Sequence, residues 1–456
     1  MTIIHKTILI SLCFAPLVIF ADPLTYKVGG ETVTVVDCDV SASGELVIPP
    51  TYEGKPVTSI GNNAFKHCSS LTNVEISDSV RTIGVFAFSD CSSLMRVTIP
   101  DSVKRIGLNA FYGCGSLMSI EVGKGNTKYS SWKGVLFNRN KRMLIQFPRG
   151  KSGHYTIPDS VTIIGNSFNG CSNLTSVTIP DGVEMIEVSA FRGCSSLTRV
   201  TIGNGVTSIG VAAFEDCSSL TSMTIGNSVT IIGDYAFRSC SSLTSVTIPD
   251  SVKRIGNSAF AYSTNLTSVT IGKGVTSIGA AAFINCSSLL SVMIPDRVFS
   301  IGMKAFNNCS GLTSVMIPDS VNNIGQAAFL GCRSLNKITF LGDAPSSFGS
   351  DVFRDLPIKA TITVTASATG FSETFGGLPV QILKKKFAIK SFNNHAAPFS
   401  LSFETKSDLT YKIEASHDLQ KWSEIGEVQG TESSVEFIER RKALFSKQYY
   451  RVKLVE

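Results

Sequence analysis

The run Leu243-Thr244-Ser245-Val246-Thr247-Ile248-Pro249-Asp250-Ser251-Val252-Lys253-Arg254-Ile255-Gly256-Asn257-Ser258-Ala259-Phe260, with Leu266 opening the next copy, decides how this chain folds. Ser245 to Ile248 alternates polar and apolar residues, the period of a strand with Val246 and Ile248 turned inward. Pro249-Asp250-Ser251 then predicts a turn, because proline sets φ and the aspartate side chain bonds readily to its own backbone. In other copies Gly-Asn-Gly or Gly-Asn-Ser stands there. Val252 and Ile255 flank a second, shorter extended piece closed by Gly256. In the preceding copy Ala236, Cys240 and Leu243 fall at i, i+4 and i+7 with Phe237 beside them, a spacing that predicts a turn or two of helix.

The copies recur on a fixed step. Ala-Phe pairs end at Phe65, Phe88 and Phe111; Phe168 follows Ser167; the pairs then resume at Phe191, Phe214, Phe237, Phe260, Phe283, Phe306 and Phe329. Every step is 23 residues except one of 57. Such a period marks a solenoid whose units bury their apolar faces only against their neighbours. The expected coil is strand, turn, short strand and short helix, closing on Leu, Val, Ile, Ala, Phe and Cys. About twelve such coils would stack at roughly the interstrand spacing of 4.8 Å.

The repeated Ile-Pro-Asp-Ser-Val, Ile-Gly-x-x-Ala-Phe-x-x-Cys-Ser-Ser-Leu-Thr-Ser-Val resembles the BspA-type leucine-rich repeat of bacterial and protist surface proteins, over about residues 46–341. The resemblance implies a leucine-rich-repeat solenoid on an extracellular or surface-displayed chain. Some members of that family act in adhesion to host matrix proteins or other cells, and the resemblance implies no catalytic residues. The asparagine-containing consensus of ordinary leucine-rich repeats is absent, so their strongly curved horseshoe need not apply. The fold class expected is an α+β, β-rich solenoid followed by a small all-β, sandwich-like domain.

The remaining segments are read around the repeat. Lys6, the apolar run Thr7 to Phe20 and the small Ala21 make residues 1–21 a secretory signal peptide, too short for a membrane span. A stack exposes its core at both ends, so residues 22–57 are expected to cap the N-terminus and 342–383 the C-terminus, with the repeats between them at 58–341. An irregular insertion at about 123–157 carries Tyr129 and Trp132 and reads as an enlarged coil, or alternatively as a ridge offering those aromatics to a partner. Lys384-Lys385-Lys386 marks a solvated linker. Residues 387–456 hold short alternating runs and the stretch Tyr411 to Trp422, which resembles small β modules at the ends of some secreted bacterial proteins; Trp422 is expected in its core.

Composition narrows the function. With 41 Lys+Arg against 35 Asp+Glu the formal charge is +6, mixed along the chain rather than gathered on one segment, so no nucleic-acid footprint is present. Charged residues are 17%, below the usual figure of about 25%, which fits a surface coated with Ser, Thr and Asn. Ten of the twelve cysteines occupy one repeat position, from Cys68 to Cys332, and Ser263 fills it in the remaining copy. That swap fits a slot for small buried side chains and unpaired thiols, although neighbouring rungs fall within the Cα separation that a disulfide accepts. No CxxC pair, HExxH or GxSxG occurs, and Gly150-Lys151-Ser152 lacks the leading glycine of a phosphate loop. No catalytic, metal or cofactor-binding residues are therefore assigned, and the chain is not expected to be an enzyme.

What remains is surface. Outward strand positions form hydroxyl rows, and the candidate binding face comprises Ser245, Ser268, Ser291 and Ser314 with Thr224, Thr247 and Thr270, plus Trp132 on the insertion. Met293 and Met316 interrupt the threonine row in adjacent copies and offer an apolar contact patch. A flat, weakly charged face suits extracellular proteins or polysaccharides better than a small molecule, which favours a concave apolar pocket. Three readings follow in order: an adhesive recognition protein, a structural spacer displaying the C-terminal β module, and a secreted enzyme.

Overall fold

The computed structural model describes residues 22–365, 367–382, 389–393, 399–405, 409–416, 420–431, 433–439 and 449–454; the signal peptide and the triple-lysine linker read from the sequence lie outside these residues. Two compact units result, one running to residue 336 and including 345–359, the other formed by 337–344 and 360 onward.

In the first unit every coil contributes one rung to two parallel ladders. The longer strands pair in three runs: Ser43–Ile48, Ser70–Ile76, Arg96–Ile99 and Ser119–Val122; Gly153–Thr156, Leu174–Ile179, Arg199–Ile202 and Ser222–Thr224; and Ser245–Thr247, Ser268–Thr270, Ser291–Met293 and Ser314–Ile317. Two-residue strands such as Arg254–Ile255 and Ser277–Ile278 form the second ladder. The alternation read from the sequence holds, with Val246 and Ile248 buried and Ser245 and Thr247 exposed.

The third side of the coil is not helical, and the α+β class with a short helix per coil is corrected to a β-solenoid. Among the described residues the one helical element is a 3-10 turn at Asn166–Phe168. Elsewhere successive N–H groups alternate in direction. Those of Tyr235, Phe237 and Ser239 donate to Asn257, Ala259 and Ala261 of the next coil at 2.7–2.8 Å, while those of Ala236, Arg238 and Cys240 close local turns onto the residue three back. Tyr235 and Ser239 accordingly sit at φ +60° and +59°, and the same two positions are left-handed in neighbouring coils. Such residues cost of order 1–3 kcal/mol each. The inter-coil hydrogen bonds they permit satisfy groups that burial would otherwise leave orphaned.

Inside, Phe191 to Phe329 form a column of rings stacked 5.0–5.3 Å apart, with planes within 11° of each other. It continues to Phe353 at 5.9 Å. Beside it the ladder cysteines from Cys91 onward donate their S–H to the phenylalanine carbonyl one coil back, as Cys240 does to Phe214 at 3.3 Å, while Cys68 at the start of the ladder turns to the Cys38 and Asp39 carbonyls. Ser263 makes the same bond to Phe237 at 3.3 Å, which explains why serine is accepted there.

Ends and insertion use antiparallel pairing. Leu24–Gly29 folds back on Thr32–Cys38, which joins Lys55–Ile60 in parallel. In the insertion Tyr129–Trp132, Val135–Asn138 and Met143–Gln146 form a meander whose last strand enters the short-strand ladder at Ile163–Ile164. Phe147 there stacks on Phe168 at 4.8 Å and restarts the ring column. In the second unit Lys337–Phe340, Thr361–Val364 and Leu378–Ile382 are parallel, with Phe340, Phe371 and Phe375 in contact. Beyond them Phe399–Glu404 lies between Ile389–Asn393 and Ser434–Glu439, and Thr410–Ser416 lies between Ser423–Gln429 and Tyr449–Leu454. These two three-stranded sheets bury Leu401 and Phe403 with Tyr411 and Ile413. Trp422 is half-buried, with the Arg451 guanidinium 4.2 Å above its ring.

Where each short strand ends, coils approach too closely for a side chain. A Cβ on Gly256 would lie 2.5 Å from the Gly233 carbonyl carbon, and one on Gly279 would meet Gly256 equally closely. Gly256→Ala is expected to lower unfolding stability by about 1–3 kcal/mol, the usual cost of overpacking. Gly115→Ala, in open space at an exposed turn, should change it by less than about 0.5 kcal/mol. Thermal and urea denaturation of the two variants checks the contrast.

Candidate functional site

Strand pairing sets the candidate face in register. Ser245, Ser268, Ser291 and Ser314 align across four coils, and beside them Thr247, Thr270, Met293 and Met316 align. All are exposed except Ser314, which is half-buried. Thr224 belongs to the preceding run of strands, where it pairs with Thr201 and, through it, Thr178. The hydroxyls divide into two kinds. Thr198, Thr221, Thr267 and Thr313, just before their strands, donate to a carbonyl of the previous coil at 2.9–3.3 Å. The side chains of Thr201, Thr224, Thr247 and Thr270 take part in no such bond, which leaves that row available to a ligand.

Met293 is 77% exposed and Met316 50%, and Leu290, just before the strand that carries Met293, is 56% exposed. The sequence reading missed Leu290, although it stands where Thr244, Thr267 and Thr313 stand in adjacent copies. Trp132 is not part of the methionine patch. It lies half-buried on the insertion hairpin, its ring 6.1 Å from Tyr155 and the Lys133 ammonium 4.5 Å from its centroid. The strands Leu174–Ile179 and Arg199–Ile202 separate Tyr155's strand from Thr224. His154, also on this face, is held between Ser176 at 2.8 Å and Thr156 at 3.0 Å.

A groove of about 860 Å³ also opens where the first strands run into their turns, and the sequence reading did not anticipate it. Successive coils contribute equivalent residues to it: Thr178, Thr201 and Thr224 on one side, Asp181, Asn204 and Asn227 on the other. Gly203 and Gly226, which replace the turn proline in two adjacent coils, are part of its lining. A Cβ at Gly203 would lie 2.6 Å from the Pro180 carbonyl carbon, and one at Gly226 would lie 2.3 Å from the Gly203 oxygen. At both turns the backbone lies too close to the coil before it to admit a side chain. The legible signal is the run of Gly-Asn turns.

The ladder cysteines are buried and free, as is Cys38. Among the described residues no group of three or more His, Cys, Asp or Glu is placed to hold a metal ion. Burial pushes the Cys114, Cys286 and Cys332 thiols up to about 12. The unfolded chain ionises such thiols near 9, while the folded chain keeps them protonated, so their contribution is intact below pH 9 and lost as pH rises toward 12. For each such thiol stability should fall by up to about 1.4 kcal/mol per pH unit in that window. Urea unfolding from pH 8 to 11 should show a smaller decline for Cys286→Ser than for the unaltered chain. Ellman's reagent at pH 8 should label these thiols only after denaturation.

The geometry defines a parallel β-solenoid with one long-strand face, one short-strand face and one turn face. The model of the BspA type leucine-rich repeat region matches residues 54–144, 146–267 and 253–375, more than half of the chain, and this protein belongs to that family. A leucine-rich repeat protein from Bacteroides ovatus is similar in structure, with 27% identity over 80% of this chain and 99% of its own, and a TM-score of 0.55. A leucine-rich cell surface protein from Faecalibacterium prausnitzii is 29% identical over 72% of this chain and 96% of its own, with a TM-score of 0.47. No curated protein matches the chain. No helix among the described residues is long and apolar enough to cross a membrane.

Proposed function

We propose that this chain is a non-enzymatic recognition protein, exported by its N-terminal leader and acting at the cell surface or after secretion, that binds extracellular proteins or polysaccharides in an adhesive role. The observation that carries the reading is the long-strand face, where hydroxyls aligned coil by coil adjoin the exposed Leu290, Met293 and Met316. Monomeric chains seldom leave neighbouring large apolar side chains on a regular sheet without a contact for them to make. Family membership supports the same reading, as does the apolar run Thr7 to Phe20.

The test is binding of the full exported chain to immobilised matrix proteins and polysaccharides at several salt concentrations. Saturable binding that Met293→Lys with Met316→Lys weakens at least tenfold, while the melting temperature is kept, is the expected result. Binding that survives those substitutions but is lost on deleting residues 387–456 would make the solenoid a spacer for the C-terminal sandwich.

A further inference from the structure

We propose that the groove over Thr178, Thr201 and Thr224 is a subsite for an uncharged, extended β-linked glycan lying along the stack. The inference rests on reading the chain as a recognition protein, but it uses residues outside the Met293–Met316 patch.

Direction comes first. Because the lining repeats the same positions in consecutive coils, the groove runs along the solenoid axis rather than across a coil. Parallel strands advance by about 4.8 Å, close to the advance of an extended β-linked glycan per sugar. A chain lying in the groove therefore meets one threonine and one Asp or Asn for each sugar. A compact ligand would have no use for three equivalent rungs.

The available atoms set the chemistry. The N–H groups that a peptide strand would need are taken: Asn204 donates to Asp181 Oδ1 at 2.6 Å, Asn227 to Asn204 Oδ1 at 3.0 Å, and Gly203 to the Ile179 carbonyl at 2.9 Å. Strand addition is thus closed to a protein partner here. The atoms left for a ligand are threonine hydroxyls, the Nδ2 amides of Asn204 and Asn227, and carboxylate oxygens of Asp159 and Asp181. Hydroxyls give and accept hydrogen bonds and amides give them, a combination that matches sugar hydroxyls, which do both. Ile179 and Ile202 form the floor of the groove but are buried in the core, so its hydroxyls and amides carry the recognition. Charge excludes the acidic glycans, since Asp159 and Asp181 line the groove and no Lys or Arg does.

The experiment is calorimetric titration of the full exported chain with cellohexaose, xylohexaose, β-1,4-mannohexaose and, for comparison, hexagalacturonate. At least one neutral hexasaccharide should bind. Thr201→Val with Thr224→Val, which removes two exposed hydroxyls and keeps a strand-compatible shape, should weaken that binding at least tenfold without changing the melting temperature. The same change at Thr247 and Thr270, on the flat face beyond the groove, should leave it within twofold. The proposal is overturned if none of the neutral sugars binds, if hexagalacturonate binds more tightly, or if the Thr201 and Thr224 pair has no effect. Matrix-protein binding lost with Met293→Lys and Met316→Lys, in a chain that ignores all four sugars, would overturn this subsite and leave the recognition reading standing.

Discussion

A 23-residue coil cannot satisfy its own backbone, and the rest of the molecule depends on how its neighbours do so. Two sides of each coil use parallel strand pairing, and the third uses N–H groups that point at the next coil from every second residue. The backbone of each such phenylalanine ties that third side together, as at Phe260, whose N–H donates to Ala282 of the next coil while its carbonyl accepts the thiol of Cys286 in that same coil. The ring column and the cysteine ladder are two aspects of one arrangement. A buried polar group without a partner costs about 1–3 kcal/mol, so a coil out of register would forfeit several such bonds together.

That constraint separates positions that must repeat from positions free to vary. Inward residues and the glycine of close approach recur because each neighbour presents the same surface. The position after the repeat phenylalanine varies, and in three adjacent coils it carries Arg192, Glu215 and Arg238, with the buried carboxylate between guanidiniums at 2.8 and 3.0 Å. The outward strand positions and turns vary likewise. Binding specificity in a solenoid can be written there without disturbing the core, and both the methionine patch and the Gly-Asn groove are local departures from a regular background.

The insertion shows how much irregularity the stack tolerates. Its 57-residue step replaces a plain coil with an antiparallel meander, yet its last strand and Phe147 return the chain to the ladder and the ring column. The hydroxyls of Tyr155 and Ser167, buried in this region, lack a hydrogen-bond partner. Its imperfect satisfaction contrasts with the regular coils, where the same backbone bonds recur from one to the next.

Much of this architecture was legible from residue spacing. The 23-residue step of Ala-Phe pairs required a solenoid, the alternation around Val246 predicted the first strand, and Ser263 in the cysteine position already pointed to a slot for a small side chain. Those features depend on a residue and its copies, which a sequence displays. The helix expected from Ala236, Cys240 and Leu243 did not form, because a chain of tight turns with left-handed residues at Tyr235 and Ser239 brings the same positions inward. Only hydrogen bonds to the next coil decide between them. The same holds for the groove, where Gly203 lies against Pro180 one coil away, and for the free threonine row, which differs from Thr198 and Thr221 only in where a hydroxyl meets a neighbouring carbonyl. Sequence period by itself determined that coils stack, and the tertiary structure decided what each coil leaves unpaired, because that depends on distances between residues of different coils.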